Sequence, residues 1–180
     1  MKKVLLLAGF AGMVAANAEA IDVTPYVGAD ATYGIIDSDN WSSVSSKNWS
    51  FAPVLGARTD HFGLEAYYDN GLRDHRSLKP GKYINRNTKW GIDALAFQQL
   101  GCSGRWEGVA SAGLTLNKAR IHKPDGDVQN DHGRGERLGA GLQYAITENL
   151  AARAMYHYNW IHQSQVNNAN EISLGLRYAF

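Results

Sequence analysis

Glu171-Ile172-Ser173-Leu174-Gly175-Leu176-Arg177-Tyr178-Ala179-Phe180 alternates without a break. Successive side chains of an extended strand point to opposite sides, so Ile172, Leu174, Leu176, Tyr178 and Phe180 share one face while Glu171, Ser173, Gly175 and Arg177 share the other. One face is wholly apolar. The other mixes small residues with two opposite charges.

The same period of two recurs upstream. Within Val23 to Gly34, Val27, Ala29, Ala31 and Tyr33 oppose Gly28, Asp30, Thr32 and Gly34. Trp49 to Arg58 sets Phe51, Pro53, Leu55 and Ala57 against Ser50, Gly56 and Arg58, with Val54 breaking the pattern. Phe62 to Asp69 separates Phe62, Leu64, Ala66 and Tyr68 from Gly63, Glu65, Tyr67 and Asp69. Trp90 to Gln98 is less clean, because Leu95 and Phe97 stand on the face of Gly91 and Asp93. Trp106 to Asn117 puts Ala110, Ala112, Leu114 and Leu116 opposite Glu107, Ser111, Gly113 and Thr115. In Glu136 to Ile146, Leu138, Ala140, Leu142 and Tyr144 oppose Arg137, Gly139, Gly141 and Gln143; in Leu150 to Trp160, Ala152, Ala154, Tyr156 and Tyr158 oppose Arg153, His157 and Asn159. These runs predict eight strands, each near the length a tilted strand needs to cross a bilayer.

The links between them take turns in length. Residues 35–48, 70–89, 118–134 and 161–170 are long, and 59–61, 99–105 and 147–149 are short. Long loops on one side and tight turns on the other are the signature of an up-and-down barrel in an outer membrane, with the loops at the cell surface.

The N-terminus fits export. Lys2 and Lys3 precede an apolar stretch, Val4 to Ala16, followed by Asn17-Ala18-Glu19-Ala20. This order of basic, apolar and small-x-small segments predicts a cleaved signal peptide at residues 1–20, with a cut after Ala18 as the alternative. The domain is then residues 21–180. Removing Lys2, Lys3 and Glu19 from 18 basic and 17 acidic residues leaves a neutral chain, which gives no electrostatic reason to expect nucleic acid. Cys102 is the only cysteine, so no internal disulfide can support the fold.

Alternation alone does not separate a membrane barrel from a soluble one. The charges of the polar face do so. Asp30, Glu65, Asp93 and Glu107 stand against Arg58, Arg137, Arg153 and Arg177, and no Lys falls clearly within a strand. Balanced Arg and carboxylates among Gly, Ser and Thr suit a narrow interior rather than a surface in water. On the apolar face, Tyr33, Trp49, Phe62, Tyr68, Trp90, Trp106, Tyr144, Tyr158, Trp160, Tyr178 and Phe180 collect near strand ends, as rings do at the two boundaries of a bilayer. The prediction is an all-β, eight-stranded antiparallel up-and-down transmembrane β-barrel, preceded by a cleaved signal peptide and integral to the outer membrane of a Gram-negative cell.

The closing run Leu174 to Phe180, with an aromatic last residue, resembles the terminal strand signal of outer-membrane proteins. Phe51 to Arg58, Phe62 to Tyr68 and Trp90 to Leu95 resemble strands two to four of the OmpA-like outer-membrane β-barrel family. The resemblance implies that Leu176, Tyr178 and Phe180 are read by the barrel assembly machinery. It also implies a lumen largely occluded by Arg and carboxylates, at Glu65, Arg58, Arg137, Arg153 and Arg177 here. No peptidoglycan-binding domain follows Phe180, so no cell-wall tether is expected.

Three functional classes follow. The first is a structural, adhesive or envelope-integrity role through surface loops that meet lipid, lipopolysaccharide or host ligands. Here the loop bearing Arg73, Arg76, Lys79, Lys82, Arg86 and Lys89 against Asp74 is suited to lipopolysaccharide phosphates. The second is a small porin-like channel. The third is lipid A modification, for which His162-Gln163-Ser164 and Glu171 give a faint nucleophile pattern in an expected surface loop. The expectation is no enzyme, no cofactor and no metal. Asp125, Asp127 and Asp131 lack the spacing of a Ca²⁺ loop, and His75, His122 and His132 lack ligand spacing.

Overall fold

The computed structural model describes residues 22–37, 46–71, 83–122, 128–163 and 166–180, with side chains at 22–34, 49–71, 88–118, 133–161 and 168–180. The expected signal segment lies outside the described residues. Eight strands follow in order: β1 (Thr24–Asp37), β2 (Ser46–Arg58), β3 (Phe62–Gly71), β4 (Tyr83–Leu100), β5 (Trp106–His122), β6 (Val128–Ala145), β7 (Leu150–Gln163) and β8 (Val166–Ala179). Each pairs antiparallel with its neighbour in sequence, and β1 pairs with β8, for example Gly28 opposite Arg177. Closure gives every strand a partner on both sides and removes the unpaired edges that a bilayer cannot hydrate.

The short turns carry their own chemistry. In the β2–β3 turn the Thr59 hydroxyl accepts from the Phe62 amide at 3.1 Å, and in the β6–β7 turn the Thr147 hydroxyl accepts from the Leu150 amide at 3.0 Å. A threonine side chain thus replaces a backbone acceptor in both. The β4–β5 turn instead uses Gly101 and Gly104 at φ of 74° and 65°, a region that side chains with a Cβ avoid.

The burial is inverted relative to a protein in water. Leu55, Leu64, Leu174 and Leu176 are exposed on the outer wall, at 64%, 57%, 62% and 52% of their surface. Inside, fifteen polar or charged residues are buried against nine hydrophobic ones among the described residues. An apolar wall of this extent is stable only against lipid.

Two features differ from the sequence expectation. First, the strands on the surface side run well into the expected long loops: Tyr83 pairs with His122, His122 with Val128, and Arg134 with His162. Arg86, His122, Asp131, His132 and His162 are therefore strand residues, not loop residues. Above the bilayer both faces of a hairpin meet water, so the ladder continues on backbone hydrogen bonds without an apolar row to announce it. Second, Lys does occur within strands, at Lys47, Lys89 and Lys118. Val54, Leu95 and Phe97, which disturb the alternation, are interior residues buried to 4%, 3% and 4% exposure.

Candidate functional site

The interior face of all eight strands converges on a lumen whose chemistry is ionic. At the end bearing the short turns, which is periplasmic in barrels of this kind, Glu65 of β3 is the hub. Its Oε2 accepts from Tyr26 Oη at 2.8 Å, Arg153 Nη1 at 2.6 Å and Arg177 Nε at 3.1 Å. Arg177 also makes a two-pronged contact with Asp30, at 2.7 and 2.9 Å. Arg153 Nε donates to Gln143 Oε1 at 2.9 Å, and Gln143 Nε2 donates to Glu107 Oε2 at 2.8 Å. Glu107 is in turn gripped by Arg58 at 2.8 and 2.9 Å. One unbroken chain of contacts thus links seven strands.

Midway, Arg137 of β6 grips the Asp93 carboxylate of β4 and stacks its guanidinium 4.0 Å above the Tyr67 ring. Cβ atoms at Gly113 and Gly175 would strike the Asp93 and Asp30 carboxylates, so glycine there is what lets two carboxylates lie flat against the wall. Nearer the surface, Lys89 of β4 donates to both oxygens of Glu171 at 2.5 and 2.6 Å and stands 3.4 Å from Asp69.

Apolar side chains fill the gaps. Leu95, Phe97, Val109 and Met155 form one buried cluster, and Tyr26, Val54 and Tyr67 another. The Arg58 guanidinium lies 4.0 Å over Phe97, which joins the ionic chain to the apolar plug. Two cavities lie among the described residues, one of about 10 Å³ beside Glu65, Asp93 and Arg137 and one of about 50 Å³ at the surface end.

The structure brings Asp30, Arg58, Glu65, Asp93, Glu107, Arg137, Arg153 and Arg177 into this lumen and gives each a partner of opposite charge. Lys89, expected in the basic surface loop, is instead a buried lumen residue of β4: at the edge of a polar stretch it reads as loop, which also hides the pairing role of Asp69 and Glu171. Leu176, Tyr178 and Phe180 lie on the outer wall, exposed at 52%, 49% and 71%, with the last two rings 5.6 Å apart. Arg73, Arg76, Lys79 and Lys82 lie outside the described residues. So do Ser164, His75, Asp125 and Asp127; Cys102 is exposed in the β4–β5 turn. Among the described residues no group of three or more His, Cys, Asp or Glu is placed to hold a metal.

Comparison with known proteins agrees with this architecture. The model of the outer membrane protein beta-barrel domain matches residues 4–180. No curated protein sequence matches the chain. Among solved structures, the chain is similar to Neisserial surface protein A, at 24% identity and a TM-score of 0.69, over 88% of this chain and 99% of that one. It is also similar to Ail, the attachment invasion locus protein of Yersinia pestis, at 15% identity and a TM-score of 0.61 over 88% and 97% of the two chains. A separate structure of Ail holds the heparin analogue sucrose octasulfate. The N-terminal barrel of Pseudomonas aeruginosa OprF matches at 19% identity with a TM-score of 0.59, over 88% and 100%. At such identities these likenesses show the fold alone. With the family match over nearly all of its length and a lipid-facing wall around a charged lumen, the chain belongs to the outer membrane protein beta-barrel domain family and is a protein of the outer membrane.

Proposed function

We propose that this chain is a non-enzymatic, non-conducting barrel that anchors its surface hairpins in the outer membrane for an adhesive or envelope-integrity role. The observation that supports this over a porin is the filling of the lumen: an ion-paired chain across seven strands and an apolar cluster leave cavities of about 50 and 10 Å³ among the described residues. Side chains that fill an eight-stranded interior in this way leave little room for a hydrated ion.

The hairpin between β3 and β4, with Arg73, Arg76, Lys79, Lys82 and Arg86, is the part proposed to meet lipopolysaccharide phosphates. Ail, a barrel of the same fold, is a precedent for a polyanion on such a scaffold, since it was solved with a sulfated sugar. Residues 1–20 are proposed to be removed on export, and Leu176, Tyr178 and Phe180 to form the signal read by the assembly machinery.

Two measurements test the reading. Purified barrel in planar bilayers should show no unitary current steps, and regular steps would favour the porin reading. Replacing Arg73, Arg76, Lys79, Lys82 and Arg86 together by Ser should weaken binding to lipopolysaccharide vesicles at least tenfold while the heat-modifiable gel shift of the folded barrel persists. Unchanged binding would remove this loop from the proposal, and loss of lipid A acyl chains on incubation with the wild type would contradict the non-enzymatic assignment.

A further inference from the structure

Among the described residues the charges of the lumen do not balance. Six carboxylates, Asp30, Glu65, Asp69, Asp93, Glu107 and Glu171, meet five cations, Arg58, Lys89, Arg137, Arg153 and Arg177, among the described residues. The excess sits at the surface end. Lys89 spends both short contacts on Glu171, at 2.5 and 2.6 Å, and among the described residues leaves Asp69 with one contact, at 3.4 Å. The Asp69 side chain is nonetheless only 8% exposed. A buried carboxylate so loosely paired costs stability unless something else neutralises it.

The same place holds a second under-satisfied oxygen. Asn159 of β7 is 2% exposed, its Nδ2 donates to the Ala169 carbonyl at 3.4 Å, and its Oδ1 is buried with no partner. Asn159 and Asp69 line the cavity of about 50 Å³, together with Glu171, Lys89, Thr32 and Asn117. The walls thus offer carboxylate, amide and hydroxyl oxygens and neither thiol nor imidazole. Hard oxygen donors of this kind select hard cations. Two carboxylates shared with one ammonium leave one negative charge, which matches a monovalent ion.

We infer that the cavity beneath the surface hairpins is a site for a hard monovalent cation of sodium type, held by Asp69 and the Asn159 side-chain oxygen beside the Lys89 to Glu171 pair. The ion closes the charge count and ties β3 to β7 across the mouth of the barrel. It would act as a structural counterion at the surface end, where no arginine among the described residues makes a direct contact with Asp69 or Glu171.

The test uses the barrel refolded in zwitterionic detergent, with its thermal midpoint followed by the heat-modifiable gel shift in NaCl, KCl, CaCl₂ and choline chloride at equal ionic strength. Choline, a quaternary ammonium of low charge density, is a poor match for carboxylate and amide oxygens and serves as the inert cation. The midpoint is expected to rise saturably with NaCl and not with choline chloride, and Asp69→Asn to abolish the difference. A control in an exposed turn, Glu148→Gln, should keep it. A saturable rise with CaCl₂ alone would overturn the monovalent assignment. Equal midpoints in all four salts, or a midpoint that moves with pH and not with the cation, would overturn the site, the latter pointing to protonation of His157 or a carboxylate instead. Should Asp69→Asn fail to fold, the wild-type salt series decides alone, supported by sodium-23 line broadening that excess choline cannot reverse.

Discussion

At the periplasmic level of the lumen, Arg58 and Arg177 grip carboxylates two-pronged and Arg153 bridges Glu65 to Gln143, whereas at the surface level one lysine serves both Asp69 and Glu171. The planar guanidinium matches a carboxylate with two parallel hydrogen bonds and fixes its orientation, while an ammonium is a point charge on a flexible stem. The cavities follow the same division, about 10 Å³ beside the arginines and about 50 Å³ beside the lysine. The lower lumen is a cross-linked plug. The upper lumen is a looser vestibule that can admit water or a small ion.

If that division is right, removing the lower hub should cost most. Glu65→Ala leaves Arg153 and loosens Arg177 in a buried setting, and about 3–5 kcal/mol of unfolding free energy should be lost. Urea titration of the barrel in lipid vesicles measures it, and a loss below about 1 kcal/mol would mean that the plug is not what holds the strands. The wall comes next. Leu174→Arg places a charge among acyl chains and should cost about 2–4 kcal/mol in the same titration, whereas an unchanged midpoint would show that this row does not meet lipid.

Lys89→Met should cost less than Glu65→Ala, about 1–3 kcal/mol, because the adjoining cavity lets water reach the two carboxylates it abandons. A cost equal to that of the lower hub would erase the distinction between the two levels. The smallest effect is expected at the rim. Thr147→Ala removes the acceptor for the Leu150 amide in an exposed turn where water can substitute, and about 0.5–1.5 kcal/mol is expected.

How much of this is legible in the sequence depends on where a strand lies relative to lipid. Inside the bilayer every second residue must be apolar, so the phase of Ile172, Leu174 and Leu176 discloses both the strand and its sidedness. Beyond the bilayer that constraint lapses, which is why Tyr83 to Thr88 and Val128 to Gly135 read as loop although their backbones pair. Arg and carboxylates on the inward row are visible for the same reason that Lys89 is not: the first interrupt a clear alternation, and the second sits where alternation has faded. Val54 and Phe97 mislead in the opposite sense. An apolar residue on the polar row looks like noise until the lumen is seen to need filling as well as charge.

The pairings themselves were beyond reach of the sequence. Glu65 and Arg177 are 112 residues apart and meet only because closure brings β3 and β8 across the lumen from one another. A period of two fixes the face on which a residue lies and says nothing of its height along the barrel relative to a distant strand.

The central claim is sidedness, and a nitroxide scan from Ile172 to Leu176 tests it most directly. In a Cys102→Ser background, single labels at these five positions in lipid vesicles would be compared for collision with oxygen, which concentrates in acyl chains, and with a polar nickel chelate, which does not. Oxygen access should peak at positions 172, 174 and 176 and fall at 173 and 175. Loss of the two-residue period, or peaks at 173 and 175, would contradict a barrel that faces lipid with its leucines and itself with its arginines.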